Sequence, residues 1–235
     1  MKKGAVIIGG TSGIGLETAL YLKKCGYKVL IGGRSKSKDK INLSYKHIDV
    51  TNISSIKNFF SSVPLNCLGS VIYSAGISSN TKNIQKFNVN EYRKVHDVNI
   101  LGAILTLKYS YPLLKKTKGK VVIISSLASR TYSKLSSFEY TVTKAGLSGL
   151  VKQLAIEWAK DGILINTIFP GMVKTSMLSK SVKPNSLKRI ESLIPLGRVA
   201  RPMEIATAIE FLISEKNTYI TGSGVDINGG QFLSG

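Results

Sequence analysis

The chain has 235 residues, enough for one large domain or at most two small ones and too many for a stapled miniprotein. With 43% hydrophobic and 20% charged residues it has the composition of an ordinary globular protein, which excludes a mostly disordered one. The 33 Lys and Arg against 13 Asp and Glu leave a net charge of +20, which raises the question of a polyanionic partner.

The distribution of that charge argues against nucleic acid. The basic residues are spread over many segments, and the denser pieces, Arg34 to Lys40 and Lys115 to Lys120, are not interleaved with aromatics. A lysine-rich solvated surface is expected instead. Cys25 and Cys67 sit in no CxxC pattern, and with only His47 and His96 besides, neither a disulfide framework nor a metal site is expected. No apolar run approaches the roughly 20 residues that span a bilayer, and the apolar core after Met1-Lys2-Lys3 is too short for a signal peptide. The expected protein is soluble and cytoplasmic, with no membrane partner.

Along the chain, Ala5 to Ile8 is an apolar run followed by glycines and then by a periodic stretch from Ile14 to Cys25, closed by Gly26. This reads as strand, glycine turn, helix. Further strands are predicted at Lys28 to Ile31, Tyr45 to Val50, Ser70 to Tyr73, Val121 to Ile124, Leu164 to Ile168 and Gly224 to Ile227, most of them apolar on both faces. Helices are predicted at Ile53 to Ser61, Glu91 to Lys116, Glu139 to Lys160 and Pro202 to Ser214, the last with Pro202 where a missing N–H costs nothing. No repeat, low-complexity segment or linker interrupts the alternation, so one domain is expected over residues 1–235. Its fold class is α/β: a doubly wound parallel sheet of about seven strands with helices on both faces.

In such a sheet ligands bind beyond the carboxyl ends of the strands. After the first strand stands Gly9-Gly10-Thr11-Ser12-Gly13-Ile14-Gly15, where glycines let the backbone approach a pyrophosphate and the helix offers N–H groups and a positive dipole end. The second strand ends Ile31-Gly32-Gly33-Arg34, without the acid that binds ribose hydroxyls in an NAD enzyme. Arg34, with Lys36 and Lys38 behind it, suits the extra phosphate of NADP. Asp49-Val50 could contact the adenine, or Asp49 could cap the next helix. Ser125-Ser126 follows the fifth strand. Tyr140 and Lys144 lie at i and i+4 on one helix face, where an ammonium would favour the phenolate and bring a poor acid towards working range.

Together these residues resemble the short-chain dehydrogenase/reductase family, and 3-oxoacyl-carrier-protein reductases within it. The resemblance runs over essentially the whole chain: the Gly9, Gly13, Gly15 turn, Ser74-Ala75-Gly76, Asn99, Ser126, Tyr140 with Lys144, Pro170-Gly171 with Thr175, and a tail from Pro195-Leu196-Gly197-Arg198 to Gly229-Gly230. It implies a Rossmann-like fold and an NAD(P)-dependent oxidoreductase, with NADP(H) preferred and NAD(H) the alternative. Tyr140 would be the acid/base, Ser126 would bind the reacting oxygen, Lys144 would lower the Tyr140 pKa and hold the nicotinamide ribose, and Asn99 would position a relay water. The cofactor would lie on Gly9, Thr11, Ser12, Gly13, Ile14, Gly15, Arg34, Asp49, Val50, Ser74, Ala75, Gly76, Asn99, Tyr140, Lys144, Pro170, Gly171, Val173 and Thr175.

Three features depart from the family pattern or leave a choice. Ile8 stands where Thr is usual and Ser74 where Asn is usual, which removes side-chain hydrogen bonds that brace the cofactor turns. Ser125 and Ser126 cannot both face the site from a strand; the resemblance favours Ser126, although it lies fourteen positions before Tyr140, one more than expected.

The substrate-covering segment implied by the resemblance runs from Met172 to Leu196, basic and partly apolar, suited to a lid over an apolar substrate with an anionic handle or simply to a solvated face. The expected substrate is a small-molecule or carrier-bound carbonyl or secondary alcohol, with 3-oxoacyl-thioester reduction first. Sugar, steroid and secondary-metabolite alcohols are the enzyme alternatives, and a non-catalytic nucleotide-sensing or nucleic-acid-binding protein is the rival of another class. A homotetramer or homodimer through the long helices is also implied.

Overall fold

Four apolar residues in succession, Ala5 to Ile8, leave a strand no polar side to turn to water, so it must be covered on both faces. In the computed structural model, which describes residues 4–37, 42–64, 67–81, 83–182 and 184–234, this run is β1 (Gly4–Ile8), inside a parallel sheet. The other strands are β2 (Lys28–Gly33), β3 (Ser44–His47), β4 (Leu68–Tyr73), β5 (Lys120–Ile124), β6 (Leu164–Pro170) and β7 (Gly224–Ile227). Their order is β3-β2-β1-β4-β5-β6-β7, and every neighbouring pair is parallel.

The helices are α1 (Gly13–Lys24), α2 (Ile53–Ser61), α3 (Val89–His96), α4 (Gly102–Thr117), α5 (Phe138–Ala159), α6 (Ser176–Ser181), α7 (Pro184–Glu191) and α8 (Pro202–Ile213). Strand alternation distributes β1 between two cores. Val6 and Ile8 pack with Phe59 of α2, Leu107 of α4 and Leu147 of α5, whereas Ala5 and Ile7 pack with Leu22 of α1 and Ile209 of α8. Fully burying one such side chain is worth about 1.5–3 kcal/mol, so both faces hold the sheet.

The expected fold class is the one observed, with differences at element ends. The predicted helix Glu91 to Lys116 is interrupted: α3 starts earlier, at a cap where Asn88 accepts from the N–H groups of Asn90 and Glu91, and a π-helical turn at Asp97–Leu101 separates it from α4. The buried Tyr73 hydroxyl donates to the Val98 carbonyl within that turn, a contact no periodicity displays. Gly102 follows because a Cβ there would stand 2.6 Å from the same hydroxyl. The third strand ends at His47 rather than Val50, since Asp49 leaves the sheet to accept from the N–H and hydroxyl of Thr51. Two short helices, α6 and α7, occupy the 172–196 segment.

Candidate active site

Strand order reverses between β1 and β4, which opens a crevice at their carboxyl ends. The glycine turn lies there. Gly9 has φ +81°, and the N–H groups of Gly9 and Gly10 both donate to the Gly32 carbonyl, at 2.8 and 3.2 Å. A Cβ on Gly9 would stand 2.5 Å from the Ala75 nitrogen, and one on Gly15 would stand 2.3 Å from the Gly9 oxygen, so these glycines are required by backbone packing. Ser12 makes no side-chain cap to α1 and no acid occupies the first turn, which leaves the positive end of that helix available to an anion. Thr11 lies against Gly33, where a Cβ would meet its Cγ2 at 2.9 Å, so the end of β2 abuts the turn. At the two departures the main chain braces the site: the Ser74 N–H donates to the Ile8 oxygen at 2.8 Å.

Arg34 is exposed directly beyond β2. The Asp49 carboxyl is held below the usual range by the Thr51 N–H first, with the Arg34 charge contributing. Asp49 is not the cap of α2; Asn52 is, accepting from the Ser55 N–H at 2.9 Å. Val50 is buried against Gly102. Lys36 stands 5.9 Å over the Tyr45 ring, and Lys38 lies outside the described residues.

Beyond β5, on α5 and in the π-helical turn, four predicted residues come together. Lys144 is 3% exposed, its Nζ donating to the Ile124 oxygen at 2.7 Å, and a Cβ on Gly76 would stand 3.2 Å from that Nζ. Asn99 is fully buried in the π-helical turn: Oδ1 accepts from the Ile77 N–H at 2.9 Å, while Nδ2 donates to the Ile77 oxygen at 3.0 Å and to Thr143 Oγ1 at 2.9 Å. Both amide protons are used, and Oδ1 keeps one lone pair. The two serines part as alternation requires. Ser125 is buried and donates to the Lys144 oxygen at 2.8 Å, whereas partly exposed Ser126 accepts from the Ala128 N–H at 3.2 Å and is within hydrogen-bond reach of Tyr140.

The electrostatics differ from expectation. Burial pushes the Tyr140 phenol up, and the group that opposes it is Ser126 rather than Lys144. Lys144 itself is pushed down to about 8 by burial, which weakens the ammonium that was to lower its neighbour. Its Nζ lies 5.7 Å from the Tyr140 ring centroid.

From the other side of the crevice, Pro170 ends β6 and the Gly171 N–H donates to the Ile227 oxygen at 2.9 Å. Val173 is buried and bridges Ala200, and the Thr175 methyl lies 3.7 Å from where a Gly13 Cβ would stand, so this segment reaches the glycine turn. Two residues of the site were missed in the sequence. Ser137 caps α5 by accepting from the Tyr140 N–H at 3.1 Å, and Thr143 links Asn99 to α5. A Ser three residues before Tyr140 was a readable cap signal; nothing in the sequence singles out Thr143.

A family model described as "Enoyl-(Acyl carrier protein) reductase" matches residues 8–231. The chain belongs to the short-chain dehydrogenase/reductase family. This short-chain dehydrogenase/reductase is an oxidoreductase of that type. It is 29% identical over 248 residues to "Uncharacterized oxidoreductase YxbG" of Bacillus subtilis (strain 168), a match covering 97% of this chain and 90% of the relative. It is 31% identical over 239 residues to "3-oxoacyl-[acyl-carrier-protein] reductase FabG" of Rickettsia prowazekii (strain Madrid E), covering 98% and 97%. Among solved structures, "ElxO with NADP Bound" is similar with a TM-score of 0.89 and 30% identity, covering 98% of this chain and 99% of that one. Among the described residues no helix is long and apolar enough to cross a membrane.

Proposed function

We propose that this protein is an NADP(H)-preferring reductase of a carbonyl group, with a 3-oxoacyl thioester as its first substrate class. The observation that carries the reading is the meeting of Ser126, Tyr140 and Lys144 beside Gly76 at the carboxyl ends of β4 and β5. Relatives named 3-oxoacyl-[acyl-carrier-protein] reductase support the substrate class, and a similar structure with NADP bound supports the cofactor.

The residues fit a dinucleotide. Gly9, Gly13 and Gly15 form a cradle that Cβ atoms would fill or strain, with Thr11, Ser12 and Ile14 between them at the uncapped end of α1. Arg34 would take the 2′-phosphate as a charge-assisted pair, Asp49 and Val50 the adenine, and Ser74, Ala75 and Gly76 the stretch towards the nicotinamide, with Pro170, Gly171, Val173 and Thr175 closing the far side. When bound, the nicotinamide supplies hydride to the substrate carbon.

Tyr140 gives its phenolic proton to the substrate oxygen during reduction and takes one from the alcohol in the reverse direction. Ser126 Oγ accepts from Ala128, and its proton, directed at Tyr140 in the free protein, turns to the reacting oxygen as charge develops there. Lys144, fixed on Ile124, holds the ribose hydroxyls. Asn99 Oδ1 uses its remaining lone pair to accept from a relay water. The segment 172–196 with α6 and α7 acts as the substrate lid, and self-association through α4 and α5 would cover exposed Ile104 and Ile156.

Fluorescence titration with NADPH and NADH, followed by turnover of acetoacetyl-N-acetylcysteamine with wild type and Tyr140→Phe, tests the reading. NADPH should bind at least tenfold more tightly than NADH, and turnover should fall about 1,000-fold in Tyr140→Phe with NADPH binding intact. Failure to bind either nucleotide would overturn it, and binding without turnover of any carbonyl would shift it to a nucleotide-sensing protein.

A further inference from the structure

We infer that Glu139 is a positioning residue for Tyr140, latching the loop after β4 onto the first turn of α5. The inference rests on Tyr140 being the acid/base. Glu139 is the residue before Tyr140, and it is 0% exposed, an unusual place for a carboxylate. Its Oε2 accepts from the Ser79 hydroxyl at 2.5 Å, while Oε1 is buried and has no hydrogen-bond partner among the described residues. Burial alone would push this acid up, but hydrogen bonds led by Ser79 outweigh it and hold the group below the usual carboxylate range. Burying a carboxylate is costly even when hydroxyls hold it, and is tolerated where something else is gained.

What is gained is a second clamp on one loop. The first clamp is Asn99, which grips both main-chain atoms of Ile77 and reaches α5 through Thr143. The second lies one to four residues further on. There Ser137 Oγ accepts from the Ser79 N–H at 3.3 Å and from the Tyr140 N–H at 3.1 Å and lies 3.1 Å from the Ser78 hydroxyl, and the Phe138 N–H donates to the Thr81 oxygen at 2.9 Å. Ser137 joins loop and helix through main-chain and hydroxyl contacts and helps hold the Glu139 carboxyl below the usual range. Glu139 adds the one ionic acceptor, and a charge-assisted bond is roughly twice as strong as a neutral one. Tyr140 stands in α5 between Glu139 of one clamp and Thr143 of the other, and its own N–H is bonded to Ser137, so the pitch of the first turn of α5, and with it the phenol, follows the loop. The role is geometric. Among the causes that shift Tyr140, Glu139 does not figure.

The test compares wild type, Glu139→Ala, Glu139→Gln and Ser79→Ala in complex with NADP. The first readout is the ring-carbon NMR line of Tyr140 in protein labelled at the tyrosine ζ carbon, picked out from the ten tyrosines by its loss in Tyr140→Phe. The second is turnover of acetoacetyl-N-acetylcysteamine. In Glu139→Ala the Tyr140 line should shift and broaden while the other tyrosine lines hold, and kcat should fall about 10- to 100-fold with KM and NADPH affinity within about threefold, as a misplaced reacting group costs rate rather than binding. Glu139→Gln keeps an acceptor for Ser79 and should recover the wild-type line and most of kcat. Should Glu139→Ala fail to fold, Ser79→Ala breaks the same bond from the loop side and should move the line in the same direction.

A Tyr140 line in Glu139→Ala, or in Ser79→Ala, that superimposes on wild type overturns the latch. A displaced line in the variants, with a wild type that turns over no carbonyl, leaves the latch standing and removes the functional reading instead.

Discussion

Lys144 Nζ donates to the main-chain oxygen of Ile124 at 2.7 Å, which anchors a lysine of α5 on the last residue of β5. Burial there pushes its pKa from 10.5 down to about 8. Below about 8 both folded and unfolded chains hold the proton, and the folded chain bears the cost of a buried ammonium. Between about 8 and 10.5 the unfolded chain binds a proton that the folded chain has released, so this group's contribution to stability rises with pH across that window. Denaturant titrations of the protein without nucleotide at intervals from pH 7 to 10 should show the rise in wild type and its absence in Lys144→Met. The same variant should lose at least about 100-fold in turnover, and near-wild-type turnover would remove Lys144 from the reaction.

The two adjacent serines should separate cleanly. Ser125 is buried and donates to the Lys144 oxygen, so Ser125→Ala is expected to cost about 1–2 kcal/mol of stability and to change kcat by less than about threefold. Ser126→Ala should cost little stability and about 100-fold in kcat. Thermal melts and steady-state kinetics on both variants check this, and the reverse pattern would transfer the role to Ser125.

A pH profile adds a second test of Ser126. Burial raises the Tyr140 pKa and the Ser126 hydrogen bond opposes it. Alcohol oxidation needs the phenolate and reduction the phenol, so oxidation should rise, and reduction fall, as pH passes through the Tyr140 pKa. Removing Ser126 should move both limbs to higher pH. Limbs that stay in place would show that Ser126 does not act on Tyr140.

Gly15→Ala places a Cβ 2.3 Å from the Gly9 oxygen, a main-chain atom that cannot swing away. The turn must open, and NADPH affinity is expected to fall at least about 100-fold while the rest of the sheet stays folded. Circular dichroism with a nucleotide titration distinguishes this from global unfolding.

Arg34→Glu replaces an exposed guanidinium by the acid that would pair with ribose hydroxyls. The ratio of NADPH to NADH affinity should drop about 100-fold or more, chiefly through NADPH. An unchanged ratio would assign the phosphate to another cation.

Much of the site was legible in the sequence because its parts are local. A strand of four apolar residues, glycines at a strand end and a Tyr and Lys four apart on a helix follow from backbone geometry and side-chain period, and each was found where these rules placed it. That the sheet is parallel and doubly wound also follows from alternation of strands and helices, whereas its strand order was read from the structure. Tertiary structure decided what depends on distant partners. The break of the long helix at Asp97–Leu101 coincides with a hydroxyl on β4 reaching Val98, and the cap of α2 passed from Asp49 to Asn52 as Asp49 turned to Thr51. The strength of Lys144 as a cation was likewise set by burial, which no i to i+4 spacing reveals. The latch at Glu139 is the extreme case: in sequence it is an ordinary helix-entry acid, and only folding brings Ser79, sixty positions away, within 2.5 Å of it. Local rules fix which conformations a segment can take, whereas desolvation and hydrogen bonds between remote segments exist only once the chain has closed around them.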